Sequence, residues 1–175
     1  MSTKKFFNIL KRELKTIRGV ILHKIYIKPQ LEREVIEQFH KLYYYSYAFN
    51  KTCGNTFWLG VLTIKCPTDL FIYQEIIYEI KPDVIIECGT AFGGSALFLA
   101  SMCDLINHGR VITIDIEAKP EMPQHNRIKY LLGPSTSEAI VDQVKSLIKS
   151  GDKVMVILDS DHTKENVLNE LKIYS

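Results

Sequence analysis

The stretch KPDVIIECGTAFGGSALFLA, residues 81–100, decides the fold. Pro82 ends whatever precedes it, and residues 84–88 then form a short run that is apolar apart from Glu87. A run of this length, closed by turn residues, reads as a buried strand. Gly89, Gly93, Gly94 and Ser95 follow, and beyond them apolar residues recur at helical spacing over 94–105. A buried strand that turns through glycines into a helix is the first half of a strand–helix–strand unit.

The same alternation continues downstream. Gly109 leads into a strand at 110–114, and a short strand follows at 127–132. A helix over 136–149 is closed by Ser150 and Gly151. A strand at 154–158 precedes a helix at 163–172. Apolar strands separated by helices of about ten residues predict an α/β fold with a parallel sheet covered on both faces. The simplest order of the four strands is 3-2-1-4.

Upstream, a helix ends at Ile80. Thr68 or Asp69 is the expected cap, and Leu70, Tyr73, Ile76, Ile77 and Ile80 the expected inner face. The segment GNTFWLGVLTIKCPTDL reads as irregular chain anchored by Trp58. A helix is predicted over about 30–46, with Pro29 at its start. The aromatic run Tyr43, Tyr44, Tyr45, Tyr47 and Phe49 is expected to pack against the following domain. Residues 3–18 predict a basic amphipathic helix. The organisation expected is an N-terminal helical, basic extension over 1–50 and an α/β domain over 51–175.

Charge is unevenly placed. The net +2 hides eight Lys or Arg against one acid in residues 1–28, which leaves the remainder acidic. A basic amphipathic helix can lie on anionic lipid, so peripheral membrane contact through the N-terminus is one expectation. A solvated face is the plainer one. Nucleic acid is disfavoured, because no zinc motif, helix-turn-helix signal or basic patch interleaved with aromatics is present. Cys53, Cys66, Cys88 and Cys103 form no CxxC pair, and they read as free thiols in a reducing compartment. With no secretory leader or apolar span recognised, a cytoplasmic location is expected.

The ligand crevice of such a sheet lies at the carboxyl ends of its strands. Gly89 falls at the first of those ends, where a residue without Cβ takes a tight turn and admits a ligand to the backbone. Turn geometry and close packing would equally account for the glycines. Two carboxylates favour a nucleotide. Glu87 ends an apolar strand, where a charge needs a partner, and Asp115 ends the next strand, suited to a ribose diol. The GTAFGG turn is not GxGxxG, and Glu87 would repel a pyrophosphate, which argues against a nicotinamide-dependent oxidoreductase. No Gly-Lys-Ser/Thr follows, which excludes a Walker A loop. A carboxylate here suits the ammonium of an amino-acid-bearing cofactor such as S-adenosylmethionine.

Four ordered motifs, PDVIIECGTAFGGSALFLA, GRVITIDIE, GPSTSEAIVDQVKSL and VMVILDSDHT, resemble the cephalosporin hydroxylase family over about residues 55–175. The resemblance implies a Rossmann-like class I methyltransferase fold, here partial with its first four strands and preceded by N-terminal helices. It implies an S-adenosylmethionine-dependent O-methyltransferase acting on a hydroxyl of a sugar or glycosylated small molecule or lipid, assisted by magnesium. Carried over residue by residue, Glu87, Gly89, Gly93, Gly94 and Ser95 would line the methionine side of the cofactor. Asp115 would hold the ribose with Glu117 close by, and Gly133 and Ser135 would lie near the adenine or the pocket floor. Asp159 would be a magnesium ligand, and Asp161 and His162 the catalytic pair.

The chemistry of DSDH supports this in part. Hard cations prefer carboxylate oxygens, a bound cation lowers the pKa of a hydroxyl, and histidine has a suitable pKa for general base work. Helix capping by Asp161 is the competing reading. His125 and Arg127 could reach the adenine edge. The family continues with a strand whose acidic residues complete the metal site, whereas this chain reads LNELKIYS at its end, so the second half of that site is expected to be missing. The alternative reading is a remnant of the fold that binds cofactor or a partner without turnover. A homo-oligomer would be one way to cover the sheet edge.

Overall fold

The computed structural model describes residues 14–21, 29–45 and 53–175, which fall into two compact units within Met1–Phe49 and Asn50–Ser175. In the first unit residues 14–21 are helical (α1), and α2 spans Pro29–Tyr45. Proline at a first helical position loses no hydrogen bond, because that N–H has no intrahelical acceptor. Phe39 and Tyr43, one turn apart in α2, stack with centroids 6.1 Å apart. Residues 3–13 of the predicted first helix lie outside the described residues, as do Tyr47 and Phe49.

In the second unit the strand that opened the sequence reading is the one on which the sheet is built. β3 (Val84–Cys88) pairs in parallel with β4 (Arg110–Asp115) on one side and with β6 (Val154–Leu158) on the other, while β5 (Ile128–Leu132) pairs with β4. The order β5-β4-β3-β6 is the one expected from the pattern. All five residues of β3 are buried, so both of its faces are covered.

Side chains alternate between those faces. Ile85, Val111 and Ile157 face α3 (Pro67–Ile80) and α4 (Gly94–Leu105), where they meet Leu70, Ile77, Phe98 and Leu99. Val84, Ile86, Cys88, Ile112 and Ile114 face α5 (Glu138–Leu147) and α6 (Lys164–Tyr174), against Ile140, Val144 and Tyr174. By this alternation Glu87 and Thr113, paired across β3 and β4, point to the α3/α4 side at the carboxyl end of the sheet.

The region read as irregular chain contains a small antiparallel hairpin, β1 (Phe57–Trp58) and β2 (Val61–Leu62). Its turn places Leu59 and Gly60 at φ +48° and +83°. Leucine rarely adopts that conformation, so composition gave no hairpin signal. Trp58 does anchor the segment. It meets Phe98 edge-on at 4.9 Å and donates its indole N–H to Ser101 Oγ at 3.1 Å.

The start of α3 is also corrected. Cys66 is the N-cap, with no side-chain hydrogen bond to the helix, and Pro67 is helical, so neither Thr68 nor Asp69 caps it. Leu70 and Ile77 are buried, but Ile80 is 40% exposed and does not belong to the inner face.

Candidate active site

The carboxyl ends of β3, β4, β5 and β6 open on a cavity of about 560 Å³. Its wall comes from the turn after β3 (Gly89, Thr90, Ala91, Phe92), the start of α4 (Gly94, Ser95) and the end of β4 (Ile114, Asp115, Ile116). The loops after β5 (Gly133–Thr136) and β6 (Asp159–His162) complete it, with Asn166 from α6 and Leu62, Ile64 and Lys65 from β2 and the chain after it.

Packing decides much of the glycine question. Gly89 has φ +102°, and a Cβ there would lie 2.1 Å from the carbonyl oxygen of Asp159. The turn after β3 can therefore pass the end of β6 only as glycine. A Cβ on Gly94 would lie 2.2 Å from Thr63 Oγ1 and 2.3 Å from the Leu62 carbonyl oxygen, so the hairpin can close on α4. Gly93 is the N-cap of α4 at φ +79°. It stands behind the cavity, facing Pro123 and Met122.

Glu87 lies beneath the wall, fully buried. Thr113 donates to its Oε2 at 2.8 Å, and Thr90 Oγ1 lies 2.6 Å from Thr113 Oγ1. Thr113 gives its single proton to Glu87, so the Thr90 hydroxyl donates to Thr113. This chain of hydroxyls runs from a cavity residue to the buried acid. Burial is the main cause that pushes the Glu87 carboxyl up; the charge of Lys65 and hydrogen bonds from Ser95 and Thr113 oppose it. Glu87 Oε1 has no hydrogen-bond partner. Oε1 is thus a buried acceptor left open, as Glu170 Oε2 is.

Asp115 holds the turn on the other side. Its Oδ2 accepts from the N–H groups of Thr90 and Ala91 at 3.0 and 2.8 Å, and its Oδ1 accepts from Glu117 N at 3.0 Å. Asp115 therefore fixes the backbone of the glycine turn. Glu117 is not in the cavity wall, and its side chain pairs with Lys119.

At the end of β6 the two aspartates have different surroundings. Asp159 receives the ammonium of Lys65, a residue 8% exposed, on its Oδ2, and its Oδ1 lies 3.4 Å from His162 Nε2. Burial acts most strongly on Lys65 and lowers its pKa, but the charges of Glu87 and Asp159 and the hydrogen bond to Asp159 together outweigh it, and the net direction is upward. Asp161 is tied to the helix start, with Oδ1 accepting from Thr163 N and Oδ2 from Thr163 Oγ1, both at 3.0 Å. These bonds tie Asp161 to Thr163, which is itself the N-cap of α6, so Asp161 does not cap the helix. His162 is exposed at the mouth.

Of the residues named from sequence, Gly89, Gly94, Ser95, Asp115, Gly133, Ser135, Asp159, Asp161 and His162 meet at the cavity; Glu87, Gly93 and Glu117 do not line it. His125 and Arg127 are elsewhere. Both pair with Asp104 near the C-terminal end of α4, and Arg127 precedes β5, at the opposite end of the sheet. Lys65, Thr90, Ser160 and Asn166 were not anticipated. Lys65 carried one faint signal, the lone charge in the mostly apolar GVLTIKCP.

The strand order and the helices on both faces of the sheet are those of a partial Rossmann-like fold of the class I methyltransferase kind. Residues 50–175 match the sequence model of the Rhamnosyl O-methyltransferase/CmcI family, and the chain belongs to that family. It is 37% identical over 143 residues to a Rhamnosyl O-methyltransferase of Mycobacterium leprae (strain TN), covering 79% of this chain and 61% of that protein. It is 35% identical over 144 residues to one of Mycobacterium tuberculosis (strain ATCC 25618 / H37Rv), covering 79% and 57%. The chain therefore spans about three fifths of the length of these curated relatives.

Solved structures show the same fold. A CmcI apo-structure aligns with TM-score 0.54 at 19% identity, over 66% of this chain and 50% of that one. CmcI with Mg and SAM aligns with TM-score 0.52 at 19% identity over the same shares.

Proposed function

We propose that this chain carries the cofactor half of an S-adenosylmethionine-dependent O-methyltransferase whose acceptor is a hydroxyl of a sugar-like small molecule. The observation that carries it is the cavity bounded by Ser95 and Asp115, with the open acceptor Glu87 Oε1 buried behind it. That arrangement fits the cofactor, since the buried acid balances an ammonium and Asp115 stands at the strand end where a ribose would lie. Names of the related proteins, rhamnosyl O-methyltransferases, point to a sugar hydroxyl.

When bound, S-adenosylmethionine supplies a methyl group activated by a sulfonium. The protein supplies position and proton removal. Ser95 and the turn 89–91 hold one side, and Gly133 and Ser135 the other. His162 takes the proton of the attacking hydroxyl on Nδ1, while its Nε2, 3.4 Å from Asp159 Oδ1, keeps its own proton toward that carboxylate, which favours the imidazolium that forms. Methyl transfer between a held donor and acceptor depends mostly on alignment.

Magnesium does not fit the described residues in the same way. One oxygen of Asp159 carries Lys65, both oxygens of Asp161 serve Thr163, and no group of three His, Cys, Asp or Glu among the described residues could hold a metal ion. No step is therefore derived through a cation.

A second contact, with an anionic lipid surface, is proposed for the basic N-terminal segment, where Leu14, Ile17 and Ile21 of α1 are exposed beside Lys15 and Arg18. Among the described residues no helix is long and apolar enough to cross a membrane.

Calorimetric titration of S-adenosylmethionine into the folded chain tests the central reading. Micromolar binding that Asp115→Ala abolishes is expected. A folded chain that shows no heat at millimolar cofactor overturns it. Transfer of a labelled methyl group to a panel of sugars, lost in His162→Ala, tests the acceptor class. Cofactor binding with no turnover on any acceptor would favour the non-catalytic remnant.

A further inference from the structure

Two loops of the cavity wall come from opposite edges of the sheet. Ser135 follows β5 and Ser160 follows β6, and in the order β5-β4-β3-β6 these strands never touch. The sheet spaces the two strand ends through β4 and β3, but no ladder bond joins the loops that follow them. Yet both hydroxyls donate to one atom, Glu170 Oε1, at 2.5 Å from Ser135 Oγ and 2.7 Å from Ser160 Oγ. Glu170 belongs to α6 and is fully buried, although it does not line the cavity.

Other bonds from the same helix converge on the same two loops. Tyr174 donates its hydroxyl to the Ser135 carbonyl oxygen at 2.6 Å. Asn166 Nδ2 reaches Ser160 Oγ and the Asp161 carbonyl oxygen, each at 3.1 Å. Asn166, Glu170 and Tyr174 are successive turns of one inward face of α6. A buried carboxylate is costly without compensation, and a helix that needed only a core contact here would carry leucine. Meanwhile Leu168 and Leu171 of the same helix are 44% and 48% exposed. The acid is placed where an apolar residue would pack, and its partners are hydroxyls of the cavity wall.

We infer that Glu170 is a positioning residue that sets the width of the cofactor cavity by binding Ser135 and Ser160 to a single carboxylate oxygen. This rests on the reading of the cavity as a cofactor site, and it adds a residue to that site which never touches the ligand. Glutamine keeps an acceptor at the same atom. Leucine fills a comparable volume with none. The pair of substitutions therefore separates the hydrogen bonds from the packing.

The test uses the 175-residue chain as Glu170→Gln, Glu170→Leu and the unsubstituted form, with two readouts. The first is amide hydrogen exchange without ligand. Glu170→Leu is expected to speed exchange at least tenfold in residues 133–136 and 159–162 together, with β3 and β4 unchanged, and Glu170→Gln to stay within threefold. The second is titration with S-adenosylhomocysteine, where Glu170→Leu is expected to weaken binding at least tenfold and Glu170→Gln less than threefold.

If the unsubstituted chain binds no cofactor, the site reading fails, and exchange still decides the role of Glu170. Unchanged loop exchange in a folded Glu170→Leu overturns the inference, as does equal loss in both variants. If Glu170→Leu does not fold, the double variant Ser135→Ala, Ser160→Ala takes its place; loops as protected as in the parent chain would then overturn it.

Discussion

Lys65 and Asp159, 94 positions apart, form an ion pair in which the lysine is buried and the aspartate is one third exposed. Lys65 leaves the hairpin and Asp159 leaves β6, so the pair ties the hairpin to the sheet at the rim of the cavity. Removing one member of a buried pair leaves a charge uncompensated, at about 3–5 kcal/mol. The partial exposure of Asp159 places Lys65→Met near the lower end. A smaller loss in the double variant Lys65→Met, Asp159→Asn would show the coupling in denaturant unfolding. Additive losses would mean that the pair contributes nothing. The folded-state pKa of Lys65 is raised, so its contribution is complete below the ordinary lysine value and fades as pH rises through the folded one. Unfolding profiles above about pH 10 should converge for the parent chain and Lys65→Met.

Glu87 gives the opposite slope. Its carboxyl is raised, chiefly by burial, so the folded chain holds this proton to higher pH than the unfolded chain does. Its contribution is then most favourable in acid and declines as pH rises from the ordinary glutamate range through the folded pKa. Glu87→Gln cannot lose a proton. Its stability relative to the parent should improve with pH over that window, as read by urea midpoints. Parallel profiles would mean that Lys65 and the hydroxyls fully offset the burial.

Two glycines with similar dihedrals should respond differently to alanine. Gly89 and Gly151 have φ +102° and +92°. Left-handed backbone costs a Cβ-bearing residue roughly 1–2 kcal/mol. Gly151 has nothing within 4 Å of the added atom and should lose no more than that. Gly89 meets the Asp159 carbonyl at 2.1 Å, and relieving that overlap adds about 1–3 kcal/mol. Equal losses would show that the turn after β3 moves freely away from β6.

The sheet was legible in the sequence because its signal is local. Val84–Cys88, apolar apart from Glu87, and the apolar Val154–Leu158 are short runs bounded by turn residues, and covered parallel strands produce that pattern. Gly89 and Asp115 were legible as strand ends. The hairpin was not, since its turn uses Leu59 at positive φ. Lys65 and Glu170 were not either. Helical periodicity around Val167 and Tyr174 puts residue 170 inside, but periodicity does not say that a buried glutamate faces two serines from distant loops. Partners of buried charges are tertiary facts.

Thiol chemistry gives a direct check on the core. Cys88 and Cys103 are fully buried, and burial is the main cause that pushes their thiols up, to about 12 and about 11. A thiolate is the reactive form. Both should resist a disulfide reagent at pH 8 in the folded chain and react at once in denaturant, as followed by mass mapping of the labelled peptides. Labelling of either under native conditions would mean that α4 or β3 opens readily.

The turn after β3 stores strain that Asp115 holds in place. Ala91 sits at φ +48°, a conformation that glycine adopts without the penalty, and its N–H is taken by Asp115 Oδ2 at 2.8 Å. Ala91→Gly should therefore relieve up to about 1 kcal/mol of backbone strain in the folded state, although glycine also adds freedom to the unfolded chain. Asp115→Ala should cost about 2 kcal/mol or more, because three backbone N–H groups lose a charged acceptor. Combining the two substitutions should cost less than the sum of the separate changes, since a relaxed turn has less need of its clamp. Chemical denaturation of the four chains measures that coupling. Strict additivity would mean that Asp115 does not hold Ala91 in its strained form and acts on the turn only through Thr90 and Glu117.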